Sequence, residues 1–228
     1  MTAVIHQPDF LPYLGFFHRL LQAHLYVILD HVQFVYGSRS WTSRDKIKTS
    51  QGAKWLTVPI KKCAQATPID QVMLSNTDWR QTHLNLLFEN YRSTPFFEEI
   101  LPHIEALYQF QCERLVDFNL ASINMLNHLF GISIPSALSS SLKPAGKSNE
   151  LLVDILKKVN ATTYLSGIGA KAYFDPKPFE TAGIRVIWQN FSHPVYLQCH
   201  GPFIASLSSI DLLFNCGIAK SREILRSC

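Results

Sequence analysis

VIHQPDFLPYLGFFHRLLQAHLYVILDHVQF, residues 4–34, decides the fold. Its first apolar run ends at His6 and Gln7, and Pro8 and Pro12 interrupt the residues beyond, as a buried strand emptying into a loop does. Leu14, Phe17, Leu20 and Leu21 then recur at helical spacing. Residues 25–30, LYVILD, return to a continuous apolar run ending on Asp30, the pattern of a strand buried on both faces of a parallel sheet. Strand, helix and strand within about 30 residues make a βαβ unit. In such units ligands sit beyond the carboxyl ends of the strands. The two strands end at His6-Gln7 and at Asp30-His31-Val32-Gln33, so both polar clusters are placed at one edge of the sheet.

Outward from this unit, residues 45–60 (DKIKTSQGAKWLTVPI) read as a hairpin turning at Ser50-Gln51-Gly52. Pro59 in its second strand implies an edge position. Residues from about 77 to 130 read as helical. A start at Asn76 or Thr77 precedes a stripe of Leu84, Leu87, Phe88 and Tyr91, and Pro95 suits the first turn of another helix. A long pattern then runs through Leu107, Leu115, Phe118, Ile123 and Leu126 to a C-terminal cap at Gly131. After Gly131 the alternation returns: a strand in ISIPSAL, a polar loop, a helix capped by Ser148, a strand into TTYLSGIGAKAYF, a strand in IRVIWQNF, and a C-terminal helical pair. The expected fold is α/β, a Rossmann-like, mostly parallel sheet with a β-hairpin and a helical insertion or cap at about 77–130. It is read as one domain over 1–228.

Composition narrows the function. Of 228 residues, 47% are hydrophobic and 17% charged, with a formal charge of +4. That is a well-buried globular chain whose basic residues are scattered, which suits an anionic small molecule and argues against nucleic acid. Five cysteines without a C-x-x-C pair point to free thiols rather than a disulfide framework or a structural zinc site. No run approaches the ~18–20 apolar residues of a membrane span, and no signal-peptide pattern opens the chain; a cytoplasmic protein is expected.

Four constellations carry chemistry. His6, Gln7, Asp30, His31 and Gln33 supply donors, acceptors and a base at the sheet edge, although each alone reads as an ordinary strand-end cap. Arg44, Lys46 and Lys48 alternate on one strand and share a face suited to phosphate or carboxylate. Arg44 is the stronger candidate, coming soon after Trp41, and Lys48 is assigned to a solvated edge. Gly167 and Gly169 after a strand let backbone N–H groups approach an anion, with Lys171 adding charge, while a plain tight turn accounts for them equally well. His193, Tyr196, Gln198 and His200 offer binding or acid–base groups, the default being a hydrogen-bonded aromatic turn. No G-x-S-x-G, H-E-x-x-H, Walker A or dinucleotide fingerprint is present. The helical histidines His18, His24 and His103 lack ligand partners at metal spacing.

The stretches IHQPDFLPYLGFFHRLLQA, YVILDHVQF, SRDKIKT.QG..WLTVPI, TTYLSGIGAKAYFD and HGPFIASLSSIDLLFNCG occur in this order between residues 5 and 217, and on them the chain resembles the WbqC-like family of bacterial proteins. His31 stands where that family commonly has a second acidic residue, and Ser43 where it commonly has Asn. The resemblance implies an association with surface polysaccharide and nucleotide-sugar metabolism. It further implies acyl or aminoacyl transfer to the amine of a nucleotide-linked sugar. A weaker resemblance, in the order of elements, is to the nucleotide-binding fold of adenylyltransferases and pantothenate synthetase. There GFFH, residues 15–18, stands where HxGH would be, so ATP use is only a hypothesis and the cofactor stays unknown.

Two readings result. In the first, an enzyme uses His6 or Asp30 as base, Gln7, Gln33 or the Gly167 loop at a developing oxyanion, Arg44 and Lys46 on phosphates, and Lys171, His193 and Tyr196 on substrate. In the second, the protein binds sugar or a partner through aromatic residues such as Trp41, Trp55 and Trp188, without chemistry.

Overall fold

The computed structural model describes residues 1–37 and 40–228. Five strands, β1 (Thr2–His6), β2 (Leu25–Ile28), β5 (Ser136–Leu138), β6 (Thr163–Ser166) and β7 (Arg185–Trp188), form one sheet in the order β5-β2-β1-β6-β7. Every pairing is parallel, with Val4 opposite Tyr26 and His6 opposite Ile28. The chain builds outward from β1 to β2 and β5, then returns to add β6 and β7 on the other side of β1. The order therefore reverses between β1 and β6, the switch point at which open α/β sheets leave a crevice. The antiparallel hairpin of β3 (Arg44–Thr49) and β4 (Gly52–Thr57) forms a separate two-stranded sheet. This is the α/β, Rossmann-like fold with hairpin and helices that the sequence implies.

The sheet is buried because successive side chains of β1 enter different cores. Val4, Tyr26, Ile28 and Leu165 join a core with α1 (Leu14–Leu21), α2 (Trp79–Tyr91), α3 (Phe97–Gln109), α4 (Leu115–Phe130) and α8 (Ile210–Arg226). Ala3, Ile5, Val27 and Tyr164 join a second core with α6 (Ser148–Lys158) and α7 (Lys177–Thr181). Between β5 and α6 lies one further short helix, α5 (Ser139–Leu142).

The helical block is where boundaries move. Asp78 rather than Asn76 or Thr77 precedes α2, and its side chain makes no cap hydrogen bond. The long pattern expected up to Gly131 is two helices, α3 and α4, separated at residues 110–114. There the chain turns extended at Phe110, and Leu74 N–H donates to the Glu113 carbonyl. The second hairpin strand stops at Thr57, before Pro59. Gly131 does cap α4, at φ 64°, and the carbonyls it frees are taken by α8. Arg222 donates from Nε to Leu129 O at 2.7 Å and from Nη2 to His128 O at 3.1 Å. Arg222→Ala is expected to cost about 1 kcal/mol, the size of a lost C-terminal cap contact, read as a shift in urea midpoint with unchanged slope.

The C-terminal pair is α8 broken at Gly217, which sits at φ 70°, ψ 170°. Only glycine holds that backbone cheaply. A Cβ there would also lie 2.5 Å from the Phe96 ring. Among the described residues no helix is long and apolar enough to cross a membrane.

Candidate functional site

The carboxyl ends of β1 and β6 meet at the switch point, and α1 starts beside them. Four residues of the β1–α1 segment converge there. His6 Nδ1 lies 2.9 Å from the Gln7 carbonyl and 3.5 Å from Asp9 Oδ2. With Nδ1–H donating to that carbonyl, Nε2 presents the lone pair. Burial and the nearby Arg19 guanidinium lower the His6 pKa to about 3, although the side chain keeps 27% of its surface in solvent. The ring is therefore neutral at physiological pH. Asp9 is nearly covered, and burial raises its carboxyl to about 7 against the opposing pull of Arg19. Tyr13 folds its ring back over Gly15 so closely that any side chain at Gly15 would collide with it. Arg19, one turn into α1 from Gly15, is 5% exposed.

The floor and walls come from other elements. A Cβ on Gly167, just past β6, would stand 2.7 Å from Arg19 Nη1, so glycine at 167 gives the guanidinium its room. Gln189, after β7, is buried and donates to Gly15 O at 2.7 Å, while its own N–H donates to Ser166 O. On the hairpin side Thr42 Oγ1 donates to Gln7 Oε1 at 3.2 Å. Asp45 is buried, and desolvation together with the Asp9 charge raises its carboxyl well above the usual range.

The other expected residues fall into separate groups. Asp30 is 2% exposed, with Oδ1 accepting from Ser139 Oγ and Ser140 N–H (both 2.8 Å) and Oδ2 from Ser140 Oγ at 2.6 Å. This bonding anchors the start of α5, and His31 Nδ1 meets the same Ser139 hydroxyl. Gln33 is exposed and donates to Gln65 O, away from β1. Arg44 and Lys46 pack on Trp55, at 4.1 and 4.9 Å from its ring centre, with Trp41 5.5 Å from Trp55. Lys171 lies exposed over Trp188 at 5.4 Å, on the short 3₁₀ turn Ile168–Tyr173 that the Gly167 loop forms. His193 is half-buried among Phe191, Tyr196 and Phe203.

Lys48 is a correction. It is fully buried, not on a solvated edge, because the 198–202 segment crosses the hairpin and covers it. Its Nζ donates to Gln198 Oε1, Gly201 O and Pro202 O at 3.0, 3.2 and 2.5 Å. Gln198 in turn donates to Asp211 Oδ2 at 2.8 Å, and Tyr91 and Tyr196 donate their hydroxyls to Asp211 at 2.9 and 2.8 Å. Tyr196 is thus occupied in a buried network. Two open concavities lie elsewhere, of about 460 Å³ between β4 and α2 and about 380 Å³ at the start of α2; of the candidate functional residues singled out in the sequence, only Trp55 lines one, the first.

Asp9 and Arg19 are the site residues that the sequence pattern does not single out. Asp9 reads only as an interruption of an apolar run, and Arg19 sits within a helix otherwise apolar enough to read as core.

An open parallel sheet whose strand order reverses between β1 and β6 defines the class, the open α/β proteins, in which ligand sites fall at such a switch point. Within that class the chain belongs to the WbqC-like protein family, whose model it matches over residues 7–223. It is also 33% identical over 227 residues, 98% of this chain and 97% of the relative, to "Uncharacterized protein Rv1507c" of Mycobacterium tuberculosis (strain ATCC 25618 / H37Rv). No solved structure shows significant similarity to the chain.

Proposed function

We propose that the protein is a biosynthetic transferase that acylates, or aminoacylates, the amine of a nucleotide-linked sugar at the switch-point crevice. Family membership supports the general part of this reading, a role associated with polysaccharide biosynthesis. The observation that carries the chemical part is the convergence of His6, Asp9 and Arg19 at the carboxyl end of β1. Asp9 replaces Asp30 as the base, because among the described residues its carboxylate meets only His6, whereas both oxygens of Asp30 are occupied. A base with a pKa near 7 is matched to work near neutral pH. In the step proposed, the sugar amine nitrogen forms a bond to the acyl carbon and the bond from that carbon to its leaving group breaks. The amine proton passes to Asp9, whose Oδ2 lies 3.5 Å from the neutral His6 ring. Arg44 and Lys46 hold the substrate's phosphates at the Trp41–Trp55 face.

That face favours a second reading, a non-catalytic sugar-nucleotide binder or scaffold. Trp41 and Trp55 are 40% and 36% exposed beside two cations. A thermal-shift panel of ATP, CoA thioesters, UDP-, GDP- and dTDP-sugars and amino acids, each with and without Mg²⁺, tests both. A ligand at a hundredfold excess over its Kd stabilises by about 2.7 kcal/mol, roughly 5–6 °C for a chain of this length. A rise with a nucleotide sugar supports the substrate class. Product formation from that sugar and an acyl donor separates enzyme from binder. No rise with any nucleotide sugar overturns both readings.

A further inference from the structure

The structure assigns Arg19 as the receptor for a phosphoryl group, bound at the switch point between the ends of β1 and β6 beside Gly167. This adds to the substrate reading above a phosphoryl contact separate from the Arg44–Lys46 face, but Arg19's want of an anion stands without it.

A guanidinium is always charged and carries five N–H donors in a fixed fork. Taking it out of water is costly unless it is paired and its donors are used. Arg19 is 5% exposed, yet among the described residues its side chain makes no ion pair and no hydrogen bond, and Nε is fully enclosed without a partner. The neighbours do not supply the missing charge. His6 is a neutral ring, and Asp9, its carboxyl raised to about 7 and so only partly ionised near neutral pH, forms no ion pair with Arg19. A second buried cation shows the contrast: Lys48 has all three donors satisfied by protein oxygens.

Arg19's position is also unusual in being cleared for it. Nη1 lies 2.7 Å from where any Cβ at residue 167 would stand, so the guanidinium reaches under the turn leaving β6. His6 and Gln7, at the end of β1, are only partly buried. A fork with unused donors, at the crevice of an open parallel sheet, suits the tetrahedral oxygens of a phosphoryl group.

The test uses the full chain with inorganic phosphate, pyrophosphate and glycine as probes, against wild type, Arg19→Met and Gly167→Ala, read by calorimetry and thermal shift. Phosphate or pyrophosphate is expected to bind wild type and to bind Arg19→Met at least about tenfold more weakly, the loss of a charge-assisted contact. Without anion, Arg19→Met is expected to melt at or above the wild-type temperature, since an unpaired buried charge has been removed. A merely structural arginine would instead leave the variant less stable. Gly167→Ala keeps the charge but crowds Nη1, and is expected to weaken phosphate severalfold. Equal phosphate affinity in wild type and Arg19→Met, no phosphate or pyrophosphate binding to wild type, or tighter binding of glycine than phosphate would each overturn the assignment. If phosphate binds through Arg19 while no nucleotide sugar does, the subsite stands and the transferase reading fails. If nucleotide sugars bind and Arg19→Met leaves them unaffected, the reverse holds.

Discussion

Lys48→Met is expected to lose about 3–5 kcal/mol of stability, the usual result of stripping one partner from a buried charged network. For a chain of 228 residues that is roughly 6–10 °C in melting temperature. Lys48 is wholly enclosed, and its ammonium satisfies Gln198 Oε1 and the carbonyls of Gly201 and Pro202. Methionine fills the same volume but leaves the Gly201 and Pro202 carbonyls without a donor, and Gln198 Oε1 with only the Ile204 N–H. It also removes the positive charge that offsets burial at Asp211, whose carboxyl is already raised by desolvation. The double variant Lys48→Met, Asp211→Asn removes both charges and is expected to recover part of the loss, so the pair's coupling appears in a double-mutant cycle. The loss is also expected to fall on one region first: the 196–204 segment hangs on this network through Tyr196, Gln198 and Ile204. Hydrogen exchange at those amides should rise more than in β1. A Lys48→Met melting point within a degree or two of wild type would show that the ammonium is dispensable.

The same lysine marks the limit of what the sequence discloses. Local pattern carries the sheet well: continuous apolar runs flanked by helical spacing mark β1, α1 and β2, and the return of that rhythm after Gly131 marks the remaining parallel strands. Those features depend on neighbours in the chain. Lys48 depends on residues about 150 positions away folding over the hairpin, and alternation along β3 says only which face it shares with Arg44 and Lys46. Asp30 is legible as a polar strand end, but its engagement by Ser139 and Ser140 arises from the β2–β5 pairing, a long-range event. Arg19 is hidden for the opposite reason. A cation inside an apolar helix reads as a residue that reaches out to water, and only the strand order, which brings β6 beside β1, buries it under Gly167.

Asp9→Asn is expected to make the protein more stable at pH 8 and little changed at pH 4, and to abolish transfer. The native carboxyl, raised from 3.8 to about 7 by burial, holds its proton where the unfolded chain has lost it. Between about pH 4 and pH 7 the native state therefore binds more protons than the unfolded one, and stability falls as pH rises through that window. Above pH 7 the carboxylate is ionised in both states and the cost stays constant. A shift of this size corresponds to at most about 4 kcal/mol. Asparagine has no proton to lose, so the gap from wild type should open from pH 4 and level near pH 7; His6 and His83, lowered to about 3 and 4, add a slope of opposite sign to both proteins and cancel in the difference. Asp45, raised in the same direction, leaves the variant some residual slope of the same sign. Urea titrations at half-unit steps from pH 4 to 8 measure this directly. A variant less stable than wild type at pH 8 would mean that ionised Asp9 is held by a native cation, in effect an Arg19–Asp9 pair, and would remove both the base and the unpaired arginine from the site. A more stable, inactive variant would instead place the cost of a buried ionisable carboxyl where a base of near-neutral pKa is needed, the trade of stability for function that a working site makes.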